Sequence, residues 1–237
     1  MQELNNTNGR VAVDRAALIG RLADLIASCR PTHPLRVAID GPDAAGKSTF
    51  AGELGVLVSG QRSVIRASAD DFQHPATERY RRGRLASDGY YLDAFDHEAM
   101  RIALLGPRGN GRYRTAVFDY RRDAPVDRPA SSAVRDAVLL FDGVFLLRPE
   151  LRGHFDVAVY VHVSPAESLR RALVRDAPAM GGDGAVRVRY ERRYLPAQAL
   201  YRETASPLEH ADAVIDNEDV DHPYPLKWPR AMTHGAR

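Results

Sequence analysis

The chain has one cysteine, Cys29, so it can build neither an internal disulfide framework nor a cysteine-rich zinc site. It has no apolar stretch near the ~18 residues that a membrane span needs, no internal repeat and no low-complexity tract. An excess of one charge is also missing. Its 33 Lys and Arg face 31 Asp and Glu, for a formal net charge of +2, which is too even to suggest a nucleic-acid binder by charge alone. The polar, acidic start Met1-Gln-Glu-Leu-Asn-Asn-Thr-Asn8 is unlike a signal or transit peptide. What remains is ordinary globular usage, 44% apolar and 27% charged, over 237 residues. That length suits one large domain with a real core. The expectation is a soluble, cytoplasmic protein whose partner is a small molecule, with no nucleic acid and no membrane. Homo-oligomerisation is left open.

Residues 11–29 predict an amphipathic helix with Leu18, Leu22, Leu25 and Ile26 on one stripe. It makes 1–34 an N-terminal unit packed on the main domain. Short apolar runs follow at Leu35–Ile39, Ser63–Ala67, Ala137–Phe141 and Val157–Val161. Three of them are nearly continuous in apolar residues, as strands buried on both faces of a parallel sheet are. Helices are predicted over Lys47–Ser59 and Ser164–Asp176; the second has Ser164 as N-cap, Pro165 at the first helical position and Glu167 completing a capping box. Alternating strand and helix is α/β grammar. Residues 35–217 form the domain on this reading. Residues 218–237, interrupted by Pro223, Pro225 and Pro229, form an irregular tail.

Gly41-Pro42-Asp43-Ala44-Ala45-Gly46-Lys47-Ser48-Thr49 matches G-x-x-x-x-G-K-[ST], with a strand before it and a helix after it. The glycines let the backbone turn tightly, so that successive N–H groups surround a phosphate. The helix opening at Lys47 adds free amides and a positive dipole end. Lys47 is expected to reach the outer phosphates of ATP, and Ser48 to bind Mg²⁺. Asp142 closes an apolar strand at the ligand-binding edge of such a sheet, and is the second metal residue. Asp40 is read as a positioning residue.

A phosphoryl acceptor needs a carboxylate beside its hydroxyl. Asp70, in Ser68-Ala-Asp-Asp-Phe72, is the candidate, with Asp71 as helper. The basic run Glu78–Arg84 brings Arg79 toward an anionic or planar substrate, and Tyr90 and Tyr91 are candidate pocket rings. Arg171 and Arg175, at i and i+4 on one helix face, can close over the nucleotide as a lid.

In this order the motifs resemble the uridine kinase-like family of P-loop kinases, which includes uridine-cytidine, nicotinamide riboside and pantothenate kinases and phosphoribulokinases. The likeness covers about residues 35–217. It rests on Gly41–Thr49, Ala69-Asp-Asp-Phe72, Phe141-Asp-Gly143, Leu169–Asp176 with Tyr190–Pro196, and Ala211-Asp212. The resemblance implies a three-layer α/β/α P-loop NTPase fold with a five-stranded parallel sheet and a helical lid. It implies Asp70 as catalytic carboxylate, and a substrate segment at Phe118-Asp-Tyr-Arg-Arg122 that includes Arg122. The function it implies is ATP- and Mg²⁺-dependent phosphorylation of a hydroxyl, on a nucleoside first. The chain departs from the family at Asp142, where glutamate is usual, and at Gly89–Leu92, which supplies no ribose-binding aspartate in register. Two alternatives stay open: another acceptor, such as a riboside, sugar, sugar phosphate or pantothenate, and a non-kinase NTP-binding regulator. Against the second, no Asn-Lys-x-Asp string occurs.

Overall fold

The structure is a computed structural model and describes residues 14–106 and 112–229. The frayed start expected at residues 1–10 lies outside them, as do 11–13 of the first helix and 230–237 of the tail.

Six strands form the central sheet: β1 (Leu35–Asp40), β2 (Val64–Ser68), β3 (Val138–Asp142), β4 (Val157–His162), β5 (Ala213–Asp216) and β6 (Tyr224–Lys227). Their spatial order is β6-β5-β4-β1-β3-β2, with every neighbouring pair parallel except β5 and β6. The central strands β1 and β3 are buried at every position, in keeping with their nearly continuous apolar sequence. Asp142 lies in register with Ile39 of β1 and Ser68 of β2. That register brings the loops after all three strands to one carboxyl edge.

The five parallel strands are the expected sheet, and a sixth, antiparallel strand joins it from residues expected to form an irregular tail. Pro225 sits in an edge strand, where one side needs no donor, and a bulge between Pro225 and Lys227 absorbs the irregularity. The prolines therefore limit the strand without abolishing it.

Two unlike layers cover the sheet. On one side α1 (Arg15–Ser28) and α2 (Lys47–Ser59) set Leu18, Leu22, Ile26, Phe50 and Leu54 against Val37 and Ile39. Asp14 caps α1, accepting from the Ala17 amide at 3.1 Å. On the other side, α3 (Ser87–Asp93) contributes Tyr90 and Tyr91 to an aromatic cluster with Phe72, Phe95, Phe141 and Phe145. The lid is α4 (Pro165–Met180), α5 (Asp183–Arg189), a π-helical turn over Tyr190–Tyr194, and α6 (Leu195–Ala205). α4 starts as predicted, with Ser164 accepting from Glu167 N at 3.1 Å. It runs one turn further than expected, to a left-handed Gly181. No helix among the described residues is long and apolar enough to cross a membrane.

Candidate active site

The phosphate loop connects β1 to α2. Gly41 has φ +151°, and a Cβ there would lie 2.2 Å from the Val161 carbonyl oxygen, so only glycine lets the loop leave the sheet here. Gly46 (φ +89°) caps α2 without a side-chain bond, which leaves the first-turn amides of the helix facing the loop. Lys47 folds back over the loop and donates to the Pro42 carbonyl at 2.7 Å. Burial pulls its pKa down, opposed by Asp43, Asp40, Asp70 and Asp142. A ring of carboxylates thus opposes the effect of burial on the ammonium.

The Ser48 hydroxyl donates to Asp142 Oδ2 at 2.6 Å. This pair is the expected Mg²⁺ site, and its hard oxygen donors at the end of the loop suit that ion. The other Asp142 oxygen accepts from Arg66 Nη2 at 3.3 Å. Arg66 was not anticipated, because a strand arginine in a half-buried run has no motif. Asp40 is fully buried below the loop. It accepts from Gly41 N at 2.7 Å, Leu147 N at 3.2 Å and the Tyr201 hydroxyl. Burial raises its pKa to about 6.

Two cavities open on this edge. One, of about 450 Å³, surrounds the loop and is bordered by Lys47, Ser48, Asp142, Arg171, Asn217 and Arg15. The other, of about 750 Å³, lies between the lid and the 73–121 segment. Asp43, Asp70, Tyr90 and Arg175 line both. Asp70 faces the opening and accepts from Gln73 Nε2 at 3.0 Å. The surrounding walls, then Asp43, raise its pKa and make its carboxylate a better proton acceptor. Asp43 is fixed by Tyr90 OH at 3.0 Å and by Gln198 Nε2 at 2.5 Å, while its carbonyl accepts from Ser168 at 2.7 Å. One loop residue thereby ties α3, α4 and α6 to the phosphate cradle.

The remaining expected residues divide. Pro42, Ala44, Ala45 and Thr49 lie in the loop as the motif requires. Arg171 is held by Glu167 at 2.6 Å and by the Asn217 and Ala45 carbonyls at 2.6 and 3.4 Å, so it braces the loop. Arg175 pairs with Asp176 at 2.6 Å at the junction of the cavities. Arg79 lines the second cavity and pairs with Asp123 at 2.9 Å. Tyr91 belongs to the core instead, with Arg148 4.5 Å over its ring. Asp71 borders neither cavity; its carbonyl accepts from Val117 N at 3.0 Å. Arg122 is 85% exposed beside Asp119, and its neighbour Arg121 is the one that reaches the cavity wall. The hairpin that pairs Phe118–Asp119 with Ala124–Pro125 decides this orientation. Arg15, Asn217, Gln198 and Arg193 were not anticipated, for they come from four separate elements. Of these, Arg193 lies within Tyr190–Pro196 and Asn217 a few residues past Ala211-Asp212.

Phosphate loop, Ser48–Asp142 pair and lid over a mostly parallel sheet give the fold of P-loop kinases. No family model matches the sequence, and no curated protein does. Among solved structures the chain is similar to a possible uridine kinase from Bacillus stearothermophilus, at 25% identity over 83% of this chain and 96% of that one, TM-score 0.66. It is also similar to a candidate fructose transport system kinase from Silicibacter sp. TM1040, at 24% identity over 90% and 98%, TM-score 0.63. A D-glycerate 3-kinase from Cryptococcus neoformans shares the fold at 15% identity over 80% and 88%, TM-score 0.52. The architecture is that of the uridine kinase-like P-loop kinases.

Proposed function

We propose that the protein transfers the γ-phosphoryl group of ATP to a hydroxyl of a small metabolite. The observation that carries this reading is Asp70, held at the junction of the phosphate-loop cavity and the second, larger cavity. In phosphoryl transfer the protein mostly positions and neutralises. Lys47 and the loop amides hold the phosphates, and Ser48 and Asp142 hold the metal. Asp70 orients the acceptor hydroxyl and takes its proton. Arg175 balances charge at the point where the cavities meet. Bound ATP and Mg²⁺ supply the transferable group and neutralise its oxygens. The uridine kinase likeness makes a nucleoside the first acceptor to try. The fructose transport and glycerate kinase neighbours support sugars and hydroxy acids next.

The test incubates the protein with ATP, Mg²⁺ and each acceptor, with products read by mass spectrometry. Asp70→Asn should lower kcat by about 10²–10⁴-fold, the range for a lost general base, and leave ATP binding intact. Lys47→Ala should abolish transfer. An Asp70→Asn enzyme that turns over at the wild-type rate refutes the assignment. ATP turnover that ignores every acceptor favours a nucleotide-driven regulator.

A further inference from the structure

The second cavity is lined by both acids and arginines. Its carboxylates Asp43 and Asp70 sit where it joins the phosphate cavity, and its other acid, Asp176, is taken by Arg175 at 2.6 Å. Arg79, Arg121, Arg189 and Arg193 line this cavity alone. Of these, Arg79 has a carboxylate partner, Asp123 at 2.9 Å, and its buried Nε–H still lacks an acceptor among the described residues. Arg193 is 3% exposed and donates to the carbonyls of Ala86 at 3.0 Å and of Arg79 and Arg84 at 3.4 Å. Carbonyls satisfy its donors without cancelling its charge. The Arg121 side chain meets the Tyr120 hydroxyl at 3.3 Å, and neither it nor Arg189 makes an ion pair among the described residues. Three guanidinium groups without an ion pair among the described residues therefore line the cavity, and that of Arg193 lies 5.0 Å from the Tyr80 ring and 5.1 Å from the Tyr90 ring. Arg193 is buried, Arg189 half-buried and Arg121 exposed, so the buried cation gains most from an arriving anion while the other two are free to grip phosphate or carboxylate through paired N–H bonds.

We propose that the acceptor carries an oxyanion group, phosphate or carboxylate, which seats among Arg121, Arg189 and Arg193 while its free hydroxyl reaches Asp70. This rests on the kinase reading but turns away from an uncharged nucleoside. A cavity of about 750 Å³ holds a molecule as large as a phosphorylated hexose.

The test uses matched acceptors that differ in the charged group: ribose and ribose 5-phosphate, fructose and fructose 6-phosphate, glycerol and glycerate. Transfer is measured with ATP and Mg²⁺, and binding of each acceptor is measured by calorimetry without ATP. Arg121→Gln and Arg189→Gln are run beside the wild type; Arg193 is left intact because its carbonyl bonds hold the lid. The charged member of at least one pair should be favoured at least about tenfold in kcat/KM, with the phosphate and carboxylate pairs telling which anion is meant. Each variant should erase most of that preference through a raised KM for the acceptor, with KM for ATP unchanged. Equal or better transfer to the neutral members overturns the proposal and leaves the kinase reading standing. So does a preference that survives both variants. Arginine-dependent binding of a charged acceptor with no transfer supports the anion site and sinks the kinase reading. Neither binding nor transfer of any charged acceptor overturns the proposal.

Discussion

Gly41 shows how little freedom single positions have at the sheet edge. Its φ of +151° is closed to other residues, and the Val161 carbonyl fills the space a Cβ would take. Gly41→Ala should cost about 3 kcal/mol in urea unfolding, from backbone strain and the clash together. A loss under about 1 kcal/mol would mean that the loop can leave β1 by another path. Asp43 is a different case, because its position in the motif accepts any residue. No sequence pattern marks it as the point where Tyr90 and Gln198 fasten the lid elements to the loop. Tyr90→Phe removes one of those two bonds while keeping the ring packed 5.2 Å from Phe145. The variant should lose about 1.5–3 kcal/mol of stability, the usual worth of a bond to a charged group, as chemical denaturation would read it.

Elements differed in how legible they were, and burial explains why. β1, β3 and β4 are covered on both faces, so their sequences are nearly continuous apolar runs that end within one residue of the observed strands. α2 is likewise bounded by its own motif at Lys47 and by Gly60. The ribbons pairing Arg112–Tyr113 with Ser131–Ser132 and Phe118–Asp119 with Ala124–Pro125 are two residues to a strand, too short for any period to register. That is also why Arg122 was chosen where Arg121 lines the cavity. β6 was hidden by its prolines, although Lys227, which donates to the Glu209 carbonyl at 2.9 Å, ties it across the end of the sheet. Just beyond it, Trp228 packs on the aliphatic layer with Arg21 5.2 Å over its ring. Trp228→Ala should lower stability by about 1–2 kcal/mol through lost packing and the lost cation–π contact, with transfer activity unchanged. Urea titration and the transfer assay check both halves; full stability in the variant would mean the strand does not depend on this anchor.

Across the whole molecule the interior holds two opposite titrations, both beside the aromatic layer. Asp40, buried between the loop and α6, has its pKa raised from 3.8 to about 6. The native state keeps a proton that the unfolded chain has released, so acidification below pH 6 favours the fold through this group. His97 accepts from Arg148 at 2.8 Å through Nε2, as it must beside a guanidinium that only donates. Burial and then Arg148 lower its pKa from 6.5 to about 3. Here the unfolded chain takes the proton first, so acidification below pH 6.5 weakens the fold. At 1.36 kcal/mol per unit, moving from pH 7 to pH 5 gains about 1 kcal/mol through Asp40 and costs about 2 kcal/mol through His97. Glu167, held at about 2 by Arg170 and Arg171, titrates below this window. Asp70 and Asp71, also raised, act alike in wild type and variants. Asp40→Asn should therefore lose about 1 kcal/mol more than wild type between pH 7 and pH 5, and His97→Gln about 2 kcal/mol less. Urea unfolding at the two pH values reads each difference directly, free of what either substitution does to packing at both. Variants that track the wild type in parallel would mean that neither group is as dry in solution as its place beneath the loop or beside Arg148 requires.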